Sequence, residues 1–98
     1  MEKELETYVC LRFNRKSGKI DKSLEGLGRG MLQLWALQNT NAKSKDTIVF
    51  NKETGDVIAY YTGTGGFPKI EMKDRGADLG NIEDYCPGIL AELQKEEN

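Results

Sequence analysis

The stretch SLEGLGRGMLQLWALQ, residues 23–38, decides how this chain is read. Leu24, Leu27, Met31, Leu34 and Trp35 recur at steps of three and four, which lays them along one side of a helix; Leu32 and Leu37 widen the stripe. Ser23 supplies an N-cap hydroxyl and Glu25 a negative charge where the helix dipole favours one. Asn39, Thr40 and Asn41 end the pattern. Against this stand Gly26, Gly28 and Gly30, each costing about 0.8–1 kcal/mol relative to alanine inside a helix. Their reading here is close approach of a neighbouring element. They are not a dinucleotide fingerprint, because the spacing is G-x-G-x-G and the glycines lie inside the apolar pattern.

Outward from this helix, the period changes to two. Val9, Leu11 and Phe13 alternate with Tyr8, Cys10 and Arg12, predicting a strand over 8–13 whose first set faces the core. Residues 14–22 read as a basic loop with Ser17-Gly18 as turn punctuation. Beyond a polar loop at 39–46, residues 47–51 and 57–62 read as a hairpin turning at Glu53-Thr54-Gly55-Asp56. Val57, Ala59 and Tyr61 are expected on one face, Ile58 and Tyr60 on the other. Pro68 opens a short edge strand containing Ile70 and Met72. A single turn at 81–85 precedes a last helix that starts near Pro87 and runs to about residue 95. No internal repeat is read.

The order is β-α-β-β-β-α. It predicts an α+β fold: a small two-layer sandwich with a three- to four-stranded mixed or antiparallel sheet and both helices on one face. A length of 98 residues fits one domain, 1–98, with frayed ends at about 1–6 and 96–98.

Composition excludes several classes of function. There is no histidine, which removes the commonest general base and most zinc sites. Two cysteines, Cys10 and Cys86, are too few for a disulfide framework and read as buried thiols, although Cys86 near a helix start has the alternative of a lowered pKa. No run of apolar residues is long enough to span a membrane and no signal peptide is read, so the expected location is cytoplasmic. Charge is polarised: residues 12–45 carry eight basic against two acidic residues, and residues 46–98 carry five against eleven.

Three places invite a functional reading. Arg12, Arg15, Lys16, Lys19 and Lys22 run towards the expected helix start at Ser23, an arrangement suited to an anion such as phosphate or to an acidic partner surface. Tyr8, Tyr60 and Tyr61 are candidates for contact from an open sheet face, either to a protein or to stacked bases. Phe67, at the end of the glycine-rich loop 62–66, is a candidate anchor. That loop lacks the G-K-[ST] and following helix of a phosphate cradle. The series Glu71, Asp74, Asp78, Glu83 and Asp84 does not match a calcium-loop spacing and reads as a solvated connection. No metal, cofactor or catalytic residue is assigned. The expectation is a non-enzymatic interaction domain that contacts a protein partner or a second copy of itself. The alternative is a nucleic-acid or phosphate-binding module using the basic 12–22 loop and the open sheet face.

Overall fold

The computed structural model describes residues 7–26 and 28–95. Among them the elements are β1 (Tyr8–Asn14), β2 (Ile20–Gly26), α1 (Arg29–Asn39), β3 (Lys45–Asn51), β4 (Val57–Thr62), β5 (Lys69–Met72) and α2 (Ile89–Lys95), with single 3-10 turns at Lys73–Arg75 and Ile82–Asp84. The strands form one sheet in the order β2-β1-β3-β4-β5, antiparallel throughout. The expected frayed ends lie outside the described residues.

Two corrections to the sequence reading follow. The first concerns residues 23–38. Ser23 to Gly26 belong to β2, paired in register with residues 8–11 of β1, so the sheet has five strands and the helix begins only at Arg29. Leu27 lies outside the described residues. The physical reason is the glycine series: Gly26, Gly28 and Gly30 penalise helix, while residues 20–26 gain a ladder with β1. Close approach is not what Gly28 and Gly30 provide, since a Cβ at either would meet nothing within 4 Å.

The second correction concerns the helices, which lie on opposite faces of the sheet. Leu32 and Ala36 of α1 pack with Tyr8, Cys10, Val49, Ala59 and Tyr61. The other face buries Val9, Leu11, Phe13, Ile48, Phe50 and Val57 under Leu79, Ile82 and α2 residues Ile89, Leu90 and Leu93. Strands β1 and β3 are therefore apolar on both sides, as central strands of a sheet covered twice must be. Alternation in β1 shows which residues share a face, but both sets are apolar enough to be buried.

The sheet is built from two hairpins with one local design. Phe13-Asn14-Arg15-Lys16-Ser17-Gly18-Lys19-Ile20 and Phe50-Asn51-Lys52-Glu53-Thr54-Gly55-Asp56-Val57 match in type at six of eight steps, the exceptions being Lys16 against Glu53 and Lys19 against Asp56. In each turn the asparagine Oδ1 accepts from the two amides that follow it by two and three residues: Lys16 and Ser17 in one, Glu53 and Thr54 in the other. Gly18 and Gly55 close the turns at φ 74° and 82°. The hydroxyls of Ser17 and Thr54 accept from the amides of Lys19 and Asp56. After each turn the register shifts by one residue, leaving Asp21 and Ile58 as the bulged positions. The second bulge separates Val57, on the α2 face, from Ala59 and Tyr61 on the α1 face; simple alternation had placed the three together.

The hairpins also meet symmetrically. β1 and β3 pair with Leu11 opposite Ile48, and these two residues hold the same position in their respective patterns. Arg15 donates its amide to Ser44 just before β3, and the equivalent Lys52 donates its amide to Thr7 just before β1, both at 2.8 Å. The four strands β2-β1-β3-β4 thus follow a local two-fold axis normal to the sheet at the Leu11–Ile48 pair. The internal repetition was missed in the sequence because most matched residues are similar rather than identical. β5 and the two helices lie outside this symmetry.

The turns are equivalent in conformation but not in surroundings, which gives a test. Gly18→Ala is expected to cost about 1–2 kcal/mol, the left-handed backbone penalty alone, because a Cβ there meets nothing within 4 Å. Gly55→Ala adds a clash, with Asn81 Oδ1 2.6 Å and Leu90 Cδ1 2.8 Å from the new carbon. Urea unfolding of the two variants should show the larger loss for Gly55→Ala.

Candidate functional site

The basic loop of the sequence resolves into structural and free cations. Residues 15–19 form a hairpin turn leading into β2, not into a helix. The helix end they approach is the C-terminus of α1. Arg12 donates to the Asn39 carbonyl at 3.3 Å and Lys22 Nζ lies 3.4 Å from Asn39 Oδ1. That end of a helix is negative, so the cations cap it and no amide-lined anion site forms there. Arg12 also makes a two-pronged pair with Asp21, through Nε at 3.0 Å and a terminal nitrogen at 2.9 Å. Lys45 reaches the same carboxylate at 2.7 Å. Hydrogen bonds from Arg12 and then Lys45 hold the Asp21 carboxyl far below its ordinary range.

Arg15 is committed to Asp46. Its guanidinium donates at 2.7 and 3.2 Å to a carboxylate that is only 1% exposed, and also to the Gly63 carbonyl at 2.8 Å. Asp46 accepts in addition from the Tyr60 hydroxyl and the Gly63 amide. Burial raises the pKa of this carboxyl, but the hydrogen bonds from Arg15, Tyr60 and Gly63 together outweigh it and hold the group below its ordinary value. Tyr60 moves the opposite way: burial and its bond to the Asp46 carboxylate push the phenol well above its ordinary value. Of the five candidate cations, the exposed Lys16 and Lys19 side chains make no hydrogen bond or ion pair among the described residues.

The tyrosine candidates separate. Tyr8 and Tyr61 are buried, at 7% and 1% exposure, under α1, which corrects the expectation of an open face there. Tyr60 points to the other face, where its ring lies 5.6 Å from that of Tyr85. Phe67 is 75% exposed on the β4–β5 connection, so it remains free to meet a partner.

The two cysteines are on opposite faces. Cys10 is buried beside α1, donates to the Leu32 carbonyl at 3.1 Å, and is pushed up to about 12 by burial. Cys86 packs on the α2 side; burial, then the charge of Glu83, raises its pKa, against the lowered value that a helix start suggests. Glu83 itself accepts from the amides of Gly88 and Leu90, which occupies the first free donors of α2. Among the described residues no group of three or more cysteines and carboxylates is placed to hold a metal ion, and no helix is long and apolar enough to cross a membrane.

Sequence reading missed two features. One is α1's outer face. Met31 and Leu34, read as part of a buried stripe, are 72% and 50% exposed; the buried side is the Leu32–Ala36 line, one residue round. Leu24 of β2 pairs with Cys10, so it lies on this same face of the sheet, and it is 37% exposed. The absence of charge between Arg29 and Lys43 was the available signal. The other is an open cleft of about 300 Å³ lined by Tyr60, Glu71, Ala77, Asp78, Leu79 and Tyr85. Its residues are scattered from β4 to the Ile82–Asp84 turn, and no local motif joins them. Comparison of the chain with protein-family models, curated proteins and solved structures finds no match.

Asp46 supplies the test of this region. Its folded pKa is depressed, so its contribution to stability is complete above the ordinary carboxylate value and is lost as pH falls through the folded value. Asp46→Ala removes the acceptor of the Tyr60 hydroxyl and the partner of the Arg15 guanidinium, while the Gly63 amide keeps the Lys45 carbonyl, and is expected to cost about 3 kcal/mol at neutral pH. Thermal melts from pH 7 to pH 2 should show a shallower acid decline in the variant than in the parent. Equal slopes would mean that the pair contributes nothing.

Proposed function

We propose that this chain is a protein-interaction domain without catalytic activity, and that the outer face of α1 docks a second copy of the chain. The supporting observation is Met31 and Leu34, exposed side by side on a helix with no charged residue between Arg29 and Lys43, in a chain in which 31% of residues are charged. Exposed helix faces normally carry charge for solubility; an uncharged apolar one is suited to being covered. The occupant follows from the same neutrality. In a two-fold interface each residue faces its own symmetry mate or that mate's neighbours, so a charged face repels itself and an uncharged one does not. Leu24 extends the apolar surface from the adjoining edge strand. The phosphate-binding alternative has less support, because Arg12 and Arg15 are bound internally.

Light scattering after size exclusion is expected to give twice the 11.0 kDa chain mass. Met31→Glu and Leu34→Glu together should give the single-chain mass with an unchanged far-ultraviolet circular dichroism spectrum, since both positions are exposed. A wild-type chain that stays at 11.0 kDa through its whole soluble range overturns the reading. If that monomer also binds short RNA with an affinity that falls steeply as salt rises, the function passes to Lys16, Lys19 and Lys22.

A further inference from the structure

The cleft on the α2 side combines two tyrosine rings with two carboxylates that make no ion pair among the described residues. Its floor comes from Tyr60 on β4 and Tyr85 after the Ile82–Asp84 turn, with ring centroids 5.6 Å apart and planes inclined at 41°. Both hydroxyls are turned to internal partners: Tyr60 donates to Asp46, and Tyr85 donates to the Leu79 carbonyl at 2.8 Å. The two hydroxyls are thereby occupied, and the rings are held in place beside the cleft. Glu71 and Asp78 stand on the rim, both exposed, and neither makes a hydrogen bond or ion pair among the described residues. The nearby cations do not serve them. Lys73 is directed to Asp56 at 4.0 Å, and no ion pair joins Lys69 to Glu71.

We infer that this cleft binds a guanidinium group, a flat organic cation of side-chain size. An anion would meet the charge of Glu71 and Asp78. A neutral apolar group would cover those carboxylates without pairing them, which costs desolvation. A calcium or magnesium ion takes six or more oxygen ligands, and two carboxylates fall short. A diffuse cation gains from both parts of the site, through its attraction to the ring faces and its pairing with the carboxylates. The volume of about 300 Å³ is ample for one side chain. The surrounding field has the right sign, since Asp84, Glu71 and Asp78 all add to the effect of burial in raising the pKa of Tyr85. The site lies across the sheet from α1, so it is independent of self-association there.

The test is a titration followed by NMR of the tyrosine rings and the backbone amides. The probe is N-acetyl-arginine methylamide, and the control is its citrulline counterpart, which has nearly the same shape and no charge. Saturable shifts at Tyr60 and Tyr85 with the arginine probe, and none with citrulline, are expected. Glu71→Gln with Asp78→Asn should weaken binding by about tenfold or more while leaving the remaining amide spectrum in place, because both positions are exposed. Agmatine provides a second arm: tighter binding of agmatine identifies a free guanidino compound as the ligand, and tighter binding of the blocked arginine identifies an arginine side chain of a peptide. Equal shifts with citrulline, no saturable shift with either guanidinium, or an unweakened double variant overturns the inference. A response to N-acetyl-lysine methylamide equal to that of the arginine probe overturns the assignment to guanidinium.

Discussion

One buried carboxylate ties together three separate segments of the chain. Asp46 lies on β3, yet it accepts from Arg15 in the first hairpin turn, Tyr60 on β4 and the Gly63 amide after β4. A carboxylate that is 1% exposed is destabilising unless its lone pairs are filled. Here they are filled by donors from Arg15, Tyr60 and Gly63, which together keep the group ionised despite its burial. The strand order around it is thus specified by polar geometry as well as by apolar burial. Arg15 is itself 44% exposed, so water screens the pair on one side and the strength of the arrangement rests more on its hydrogen bonds than on net charge attraction.

Other charges are paired more locally. Arg12 and Lys45 hold Asp21, Lys52 holds Glu25 at 2.8 Å, and Arg29 lies 3.6 Å from Asp74. Arg15–Asp46 and Arg29–Asp74 join a cation of the basic first part to a carboxylate of the acidic second part, while the Asp21 pairs stay within the first part. What is left over has more bearing on function: an apolar, uncharged helix face on one side and an acidic aromatic cleft on the other. The first suits a surface that must leave water. The second suits a ligand that brings its own positive charge.

The sequence was legible where one period governed a segment. β1, the 45–62 hairpin, the Pro68 edge strand and the turn-then-helix ending at α2 were all readable from alternation and turn chemistry. Residues 23–38 were not, because Leu24 and Met31 stand at helical spacing although they belong to different elements. Three glycines between them were the counter-evidence, and their propensity cost was the better guide. The placement of both helices on one face failed for a different reason. Tyr8 and Cys10 are amphipathic side chains that fit either solvent or a covering helix, and only the presence of α1 decides between these. The acidic aromatic cleft drew on residues from Tyr60 to Tyr85, a range over which no spacing rule applies.

The repeated hairpin has a consequence for how the sheet assembles. Two copies of a single hairpin, associating edge to edge, would meet about a two-fold axis of the kind found at Leu11 and Ile48. In this chain both copies are carried on one polypeptide, with α1 as the tether from β2 across β1 to β3. Association that would otherwise depend on concentration becomes a ring closure, and its strength is set by the length and stiffness of that tether. The helix therefore covers the sheet and also fixes the effective concentration at which its two halves find each other.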